Sequence, residues 1–541
     1  MKRFGTAAAA LMTLCSANAV AADVTPEEVW QNWQKTMATA GQALMADSLT
    51  REGDTLVAKG VKTSLDVGEG ARMTGAVAEM RLRDLGDGTV EITASDLYDL
   101  RLSAPNTAGE PDEVIGQFVQ PGMRAVASGE PGEMTYVYDV PNASVKIQLL
   151  TKGVSNGDAR LELVGITGSY SLVQAGEGGS SRASTEVQTL TFAITTTEGG
   201  QTVDVTGSLA GLGVSWGGTI LTPEAMKDMP AALAAGPAFE AANPFGPGSG
   251  EIQAAGRGVP ARVNATIEAG RLELGLNAKG LRYVISTTGV SVDNKAENVP
   301  LPELHLGYDE AAISLTLPVL QSDLPEDFGM SVRLVNLAVS NELWDMLDPT
   351  AVLPRGPASL IVETSGKMRF LADMFDEAAT AALGEADWAE IDALTLSDLQ
   401  LRFAGAEVLG KGDLTFDNAD KTSLDGMPVP TGKVEAKLTG VNGLLDKLVA
   451  MGVFPPDQAM GFRMALAVFA KPGEGADGHQ DRQPEGDDHH HPEERALQPE
   501  EGRRPGGVED QLHRIEDERI VPLRRRRQQP DPPGGDRDQD V

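Results

Sequence analysis

From Leu56 to Phe469 the chain keeps returning to short runs in which every second residue is apolar. Leu272-Glu273-Leu274-Gly275-Leu276 and Ile313-Ser314-Leu315-Thr316-Leu317 show the pattern. So do Val145-Lys146-Ile147-Gln148-Leu149, Leu399-Gln400-Leu401-Arg402-Phe403 and Val434-Glu435-Ala436-Lys437-Leu438. Side chains along a strand point to opposite faces in turn, so each run is apolar on one side and hydrated on the other. Repeated over this length, such runs predict a mainly β chain, built on a long, curved, mostly antiparallel sheet with one apolar face.

Few helices interrupt the pattern. Thr25 as N-cap, Pro26 in the first turn and Glu27 and Glu28 at the positive end of the dipole predict a helix. Trp30, Trp33, Met37, Ala40 and Leu44 fall on one face of it, as expected for a helix docked on the sheet. A second amphipathic helix is predicted over Val441–Met451, and a third near Phe370–Leu383. Gly86-Asp87-Gly88, Asn156-Gly157-Asp158 and Glu198-Gly199-Gly200 read as turns. A short helix after Thr222-Pro223-Glu224, then the Asn243-Pro244-Phe245-Gly246-Pro247-Gly248 loop, mark an internal boundary. The expected layout is therefore a targeting segment over 1–21, two strand-rich halves over 22–240 and 241–470, and a tail over 471–541.

The targeting segment has Lys2 and Arg3, an apolar stretch from Ala7 to Leu14, and small residues before Ala21, the layout of a secretory signal peptide. A lipoprotein reading of Cys15 meets Leu14 where a small residue is needed. Export to the periplasm is the expectation, with no stable transmembrane span. Cys15 is the chain's one cysteine, so cleavage after Ala21 leaves none for disulfides, thiolate chemistry or metal. The tail holds five of the six histidines, the run Arg524–Arg527 and no aromatic residue of the Phe, Tyr or Trp type. It is expected to be disordered, and reads as out-of-frame translation after a frameshift near Gly475. His489-His490-His491 within it is at most a weak metal site.

A net charge of −34 repels phosphate backbones, so nucleic acid is not an expected partner. An aromatic content of 4% is thin for the girdles of an outer-membrane barrel. Outside the tail, His305 is the single histidine, in an alternating run. Gly213-Val214-Ser215-Trp216-Gly217 has the spacing of a nucleophile elbow, but more strand follows where a helix is required. The stretch from Gly405 to Gly412 has Gly412 where a Walker loop needs Ser or Thr. Asp309-Glu310 and Glu326-Asp327 are carboxylate pairs no more telling than others in so acidic a chain. No catalytic residue, metal ligand or cofactor site is assigned, and the chain is read as not an enzyme.

Leu343-Trp344-Asp345-Met346-Leu347-Asp348-Pro349, with Leu353-Pro354-Arg355-Gly356-Pro357-Ala358, resembles an uncharacterised family of exported Gram-negative bacterial proteins, domain of unknown function 2125. The strand pair from Ile313 to Val339 carries the likeness further. So do Leu394–Phe403, a Gly410-Lys411-Gly412 turn, Leu414–Phe416, and Gly432–Leu438 leading into Val441–Met451. The resemblance covers most of residues 22–470 and implies export and a strand-rich fold, with no catalytic residues. Trp344 and an Asp348/Arg355 ion pair are expected to pin a turn. The last stretch is more remotely similar to the C-terminal repeats of AsmA-type proteins, which implies a folded sheet whose apolar groove handles phospholipid. This chain is expected to depart from them in losing its own N-terminal segment, and from the first family in the tail that replaces further β-structure. The departure leaves an unpaired sheet edge near the C-terminus.

The leading expectation is a non-catalytic periplasmic protein that holds the acyl chains of phospholipid or another envelope lipid. A structural or adhesive envelope protein with a closed core is the alternative. A carboxylate-dependent hydrolase, testable at Ser215, is the third reading.

Overall fold

The computed structural model describes residues 23–469, apart from 40, 69, 106–111, 152–153, 176–177, 223–224, 237, 257–260, 297–302, 377–378, 380–387 and 424–425. The expected signal peptide, Cys15 and the 471–541 tail lie outside the described residues.

Helix α1 (Pro26–Thr39) leads into a sheet of twenty-three strands. They are β1 (Gln42–Met45), β2 (Ser48–Glu52), β3 (Thr55–Gly68), β4 (Ala71–Asp84), β5 (Val90–Ala94), β6 (Leu97–Ala104), β7 (Asp112–Val119) and β8 (Arg124–Glu130). Then come β9 (Glu133–Thr151), β10 (Val154–Ala175), β11 (Gly178–Glu198), β12 (Gln201–Ile220), β13 (Phe239–Phe245), β14 (Gly248–Gly256), β15 (Ala261–Ile267) and β16 (Ala269–Asn277). The last are β17 (Gly280–Ala296), β18 (Leu304–Leu317), β19 (Glu326–Val339), β20 (Ala358–Phe370), β21 (Ala389–Phe403), β22 (Ala406–Asp417) and β23 (Val429–Thr439). Short helices α2 (Met229–Ala234) and α3 (Asn341–Leu347) interrupt the sequence of strands, and α4 (Val441–Ala450) and α5 (Pro456–Phe469) follow it.

Every strand ladder is antiparallel, and the connectivity is simpler than the strand count suggests. β1 and β2 both pair with β3, β5 and β6 with β4, and β7 and β8 with β9; β13 and β14 likewise pair with β12, and β15 and β16 with β17. Each such pair is two halves of one long strand. The chain is therefore an up-and-down meander in which each long strand lies beside its predecessor. It satisfies backbone polar groups with local pairings alone.

The broken strands mark a crease that crosses the sheet. Along the long strands up to β19 the apolar positions recur every two residues, then step by three: Ala58 to Val61, Val140 to Ala143, Leu163 to Ile166, Ile267 to Gly270, Leu334 to Leu337. Val140, Ala143, Ile166 and Val187 form one buried cluster with Leu163 and Leu212, so residues on both sides of the step face the same way. On β3, β10, β12, β17 and β19 the step carries one left-handed residue, whereas Val140–Ala143 and Ile267–Gly270 on neighbouring strands carry none. Gly60, Gly165, Gly211 and Gly289 supply it at φ between +58° and +65°, and Asn336 does so at +55°. At Gly165 and Gly289 there is a second demand. A Cβ would collide with Gln188 at the first and Glu268 at the second, whose side chains fold over the glycines from the next strand. Asn336 holds its place by donating from Nδ2 to Asp309 at 2.6 Å and from its backbone N–H to Ser359 Oγ at 3.0 Å.

Several sequence expectations change. The boundary expected at 241 does not interrupt the sheet, because β12 pairs with both β13 and β14 and these continue into β15 and β16. Of the Asn243–Gly248 segment only Gly246-Pro247 lie outside strand, between the end of β13 and the start of β14. Pro244 is tolerated because β12 pairs with β13 only over Ser215–Gly218, so no ladder bond to Gly213 needs its missing N–H. Asn156-Gly157-Asp158 lies inside β10 at a register shift, not in a turn. Gly410-Lys411-Gly412 lies inside β22, where Gly412 lets the β23 backbone approach closely. The turn there is Ala404-Gly405, both at positive φ. Helix α1 stops at Thr39, so Leu44 belongs to β1. Phe370 ends β20 and residues 371–376 are not helical, while 377–378 and 380–383 of the expected helix lie outside the described residues. The turns at 86–88 and 198–200 and the helix at 441–450 are as expected.

The crease yields a graded prediction. Gly211→Ala meets only an ordinary contact, the Gly246 backbone nitrogen at 3.9 Å, and carries the left-handed cost of about 1–2 kcal/mol. Gly165→Ala and Gly289→Ala must also displace the side chain folded over them, so their urea midpoints should fall further than that of Gly211→Ala.

Candidate functional site

Register defines the inner face residue by residue. A single row of directly opposed partners runs Val90, Ala127, Tyr136, Tyr170, Ala183, Trp216, Ala241, Leu274, Tyr283, Leu315, Met330, Thr364, Leu396, Gly412, Val434. Directly paired residues share a face, so this row is one stripe across the sheet. Its exposure changes along its length: Val90 0%, Ala127 0%, Tyr136 6% and Ala183 8%, then Trp216 37%, Leu274 38%, Met330 41% and Val434 59%. The neighbouring row contains Leu272, Ile285 and Ile313, which are exposed as well. Strands lie about 4.8 Å apart, so the exposed part of the stripe, Trp216 to Val434, spans on the order of 40 Å.

The sealed end is made by α1. Val24, Val29 and Trp30 are buried with Leu44, Leu56, Leu82, Val90, Ile92 and Met134. Pro26 and the acidic first turn start the helix, and Thr25 and Glu28 bond each other reciprocally as a capping box. Its C-terminal half reaches β10, where Gln174 Nε2 donates to Thr36 Oγ1 at 3.2 Å. Trp33 stacks on Tyr136, Tyr136 on Tyr170, and Tyr170 meets Trp216, with ring centroids 6.0–6.1 Å apart. An aromatic ladder thus runs from under the helix to the first exposed residue of the stripe. Burial pushes the Tyr136 and Tyr170 hydroxyls above the usual phenol range.

The face is almost free of charge. From β12 to β23 the inward positions carry no Asp, Glu, Lys or Arg apart from Glu326 at the start of β19. Tyrosine hydroxyls on the same side pair with threonines: Tyr98 with Thr63 at 2.9 Å, Tyr138 with Thr185 at 2.5 Å, Tyr308 with Thr287 at 3.1 Å. Each pair hides two polar atoms from an apolar neighbour. Charges gather on the opposite face as cross-strand pairs. Arg262 meets Glu251, Arg282 meets Glu273, Arg333 sits between Glu310 and Glu363, Arg402 meets Glu407, and Arg83 and Arg124 both hold Glu91. Hydrogen bonds from Arg124 and Arg83 keep the Glu91 carboxyl below its ordinary range. A hollow of about 720 Å³ opens at the ends of β12, β13, β16 and β17, with Trp216, Phe239, Leu274 and Leu281 on its inner side and Arg182, Glu240 and Arg282 on its outer side.

The residues singled out in the sequence lie elsewhere. Ser215 faces outward and donates to the Ala242 carbonyl at 3.3 Å, and strand continues to Ile220. His305 faces outward with Nδ1 2.8 Å from Asp293. Asp309 accepts from Asn336, Glu310 from Arg333, and Asp327 meets Lys367. Trp344 is buried and stacks on Phe403, with Leu353 and Ala404 beside it, as expected of a pinned turn. The ion pair there differs from expectation. Arg355 meets Asp345 at 2.5 Å, whereas the buried Asp348 carboxylate accepts the Leu353 N–H at 2.6 Å and the Thr350 hydroxyl at 3.3 Å. Those bonds, the Leu353 N–H first, lower the Asp348 pKa. A carboxylate spanning five residues satisfies turn backbone that Arg355 cannot.

Among the described residues no three His, Cys, Asp or Glu side chains converge as a metal site, and no helix is long and apolar enough to cross a membrane. No family model, curated protein or solved structure matches the chain.

The aromatic ladder predicts an alkaline limit. A phenol whose pKa is raised by folding contributes stability that is complete below its unfolded value and is lost as pH rises past it. Melting temperature should therefore hold up to about pH 10 and fall above it. Tyr136→Phe should reduce that alkaline fall, measured against wild type by thermal melts across pH.

Proposed function

We propose that the chain is a non-catalytic, exported protein whose open inner face holds the acyl chains of envelope lipid, phospholipid first. The observation that carries this reading is the uncharged stripe from Trp216 to Val434, whose large apolar side chains stay substantially exposed. Covering one such side chain contributes on the order of 1 kcal/mol, and the whole stripe is far larger than the scattered apolar residues of an ordinary surface. An acyl chain fits the demand because it is long, apolar and indifferent to register. The charged outer face keeps the protein hydrated while the inner face is occupied. The sealed end under α1 gives the channel a stop, and the amphipathic hollow beside Trp216 suits the transition from apolar chain to polar group.

The non-catalytic part of the reading draws support from separation. Ser215 and His305, the residues nearest to a nucleophile and base in the sequence, lie on different strands and point away from the apolar face. Export rests on residues 1–21, and periplasmic placement follows from it.

Native mass spectrometry of the full chain, purified from the periplasm and then incubated with phospholipid vesicles, tests the reading. Bound lipid is expected in the first spectrum and further uptake in the second. Leu274→Asp and Ile313→Asp should each cut occupancy roughly tenfold by placing a charge against hydrocarbon. Ser365→Asp, on the outer face opposite Gly329 and Thr395 and away from that hollow, should leave occupancy unchanged. An apo mass with no uptake would overturn the reading and leave the scaffold alternative.

A further inference from the structure

Among the described residues the sheet has two edges that pair on one side only, and they are unequal. At the first, β1 and β2 are short, are broken at Asp47, and lie next to α1. At the second, β23 is eleven residues long and unbroken, and pairs only with β22 among the described strands. All of its residues after Val429 are exposed. An edge strand of this length presents backbone donors and acceptors that pair readily with another strand.

We infer that β23 pairs with β23 of a second copy of this chain, making a two-fold dimer with one continuous apolar face. The argument is the strand's own sequence, Val429-Pro430-Thr431-Gly432-Lys433-Val434-Glu435-Ala436-Lys437-Leu438-Thr439. Antiparallel self-pairing that overlaps all eleven residues is centred on Val434. Lys433 then stands opposite Glu435 of the second copy, and Glu435 opposite its Lys433. Lys437 meets Thr431, and no like charges face each other. On the other face Val434 meets Val434, Ala436 meets Gly432, and Leu438 meets Pro430. Slipping the centre to Glu435 would set Glu435 against itself and Lys433 against Lys437, which like-charge repulsion disfavours.

The charges also continue a pattern already present. Lys411 on β22 lies 3.6 Å from Glu435, so the row would read Lys411, Glu435, then Lys433 of the second copy. Directly paired residues share a face, so the apolar stripe would cross the interface without a break. The contact is isologous and closes at two copies. Pairing β23 to the β1/β2 edge instead would be heterologous and open-ended, and that edge offers only five- and four-residue segments.

Charge-swap complementation tests this on the full chain by sedimentation equilibrium over a concentration series. Wild type should dimerise. Lys433→Glu leaves two acidic positions facing each other across the axis, and Glu435→Lys leaves two basic ones. Each variant should weaken self-association by roughly tenfold or more. In an equal mixture the acidic strand of one variant meets the basic strand of the other. Both cross-axis pairs are then again of opposite charge, and dimer should return. The mixture also excludes misfolding as the cause of the single-variant loss. A wild type that stays monomeric, species that grow beyond two copies, a dimer indifferent to both substitutions, or a mixture that fails to associate would each overturn the inference. None of these outcomes depends on whether lipid occupies the inner face.

Discussion

The structure depends on sidedness. The described chain is one sheet with no second sheet given to it by the sequence, so its two faces must differ completely if one is to be wet. Nearly every strand charge from β12 onward is outward, and several are tied to an opposite charge on the neighbouring strand, as Arg333 is to Glu310 and Glu363. Exposed pairs of this kind contribute little each to stability. Their value here is positional. A register slip of one residue would drive them into the apolar face and put that face's own residues into water, so the ion pairs and the apolar row enforce the same pairing.

The crease follows from the same constraint. A long twisted strand that bends must change conformation somewhere, and an ordinary irregularity would exchange the two faces beyond it. A left-handed residue matched to a two-residue step on the adjacent strand restores the phase, which is why apolar positions skip by three and then resume. The position must be shared by neighbours, so Gly165 sits beside Gln188 and Gly289 beside Glu268, and Asn336 takes the role where its amide can reach Asp309. Sheet continuity, not local turn preference, explains the glycines there.

This separates what could be read in the sequence from what could not. Alternation is a local property, so the strands and an amphipathic sheet with one apolar face were legible from runs such as Leu272–Leu276, whereas whether that face is covered depends on distant elements and was not. The N-capped helix at Pro26 and the one at Val441 were legible for the same reason. Glycine and proline have no such single meaning. Asn156-Gly157-Asp158 and Gly410-Lys411-Gly412 look like turns until the partner strand is known, and Pro244 looks like a breaker until β12 is seen to leave it unpaired. An Asp348/Arg355 pairing is suggested by charge alone, whereas the buried carboxylate is needed by the Leu353 N–H. The phase step at the crease does have a signal in the sequence, apolar residues three apart flanking a glycine, as at Leu163, Gly165 and Ile166. It acquires its meaning only when the same step recurs on the neighbouring strand.

The gradient along the central row gives the open face its direction. Helix α1 covers the start of the row, where Val90 and Ala127 are fully buried, but it is only fourteen residues long and reaches no further than β10. Beyond it the sheet continues through β23 with the same inward chemistry; Trp344 of α3 and Leu444 and Leu448 of α4 pack at Val339 and Phe403, but Trp216, Leu274, Met330 and Val434 in the central row stay exposed. Had the sequence selected only for a stable sheet, the uncovered strands would be expected to carry polar residues on both faces, as solvated surfaces do. They keep Leu, Ile, Met and Val instead, at positions where water reaches them. Keeping apolar side chains where folding gives them no cover makes sense when something else covers them, and this is the physical basis for reading the face as a site.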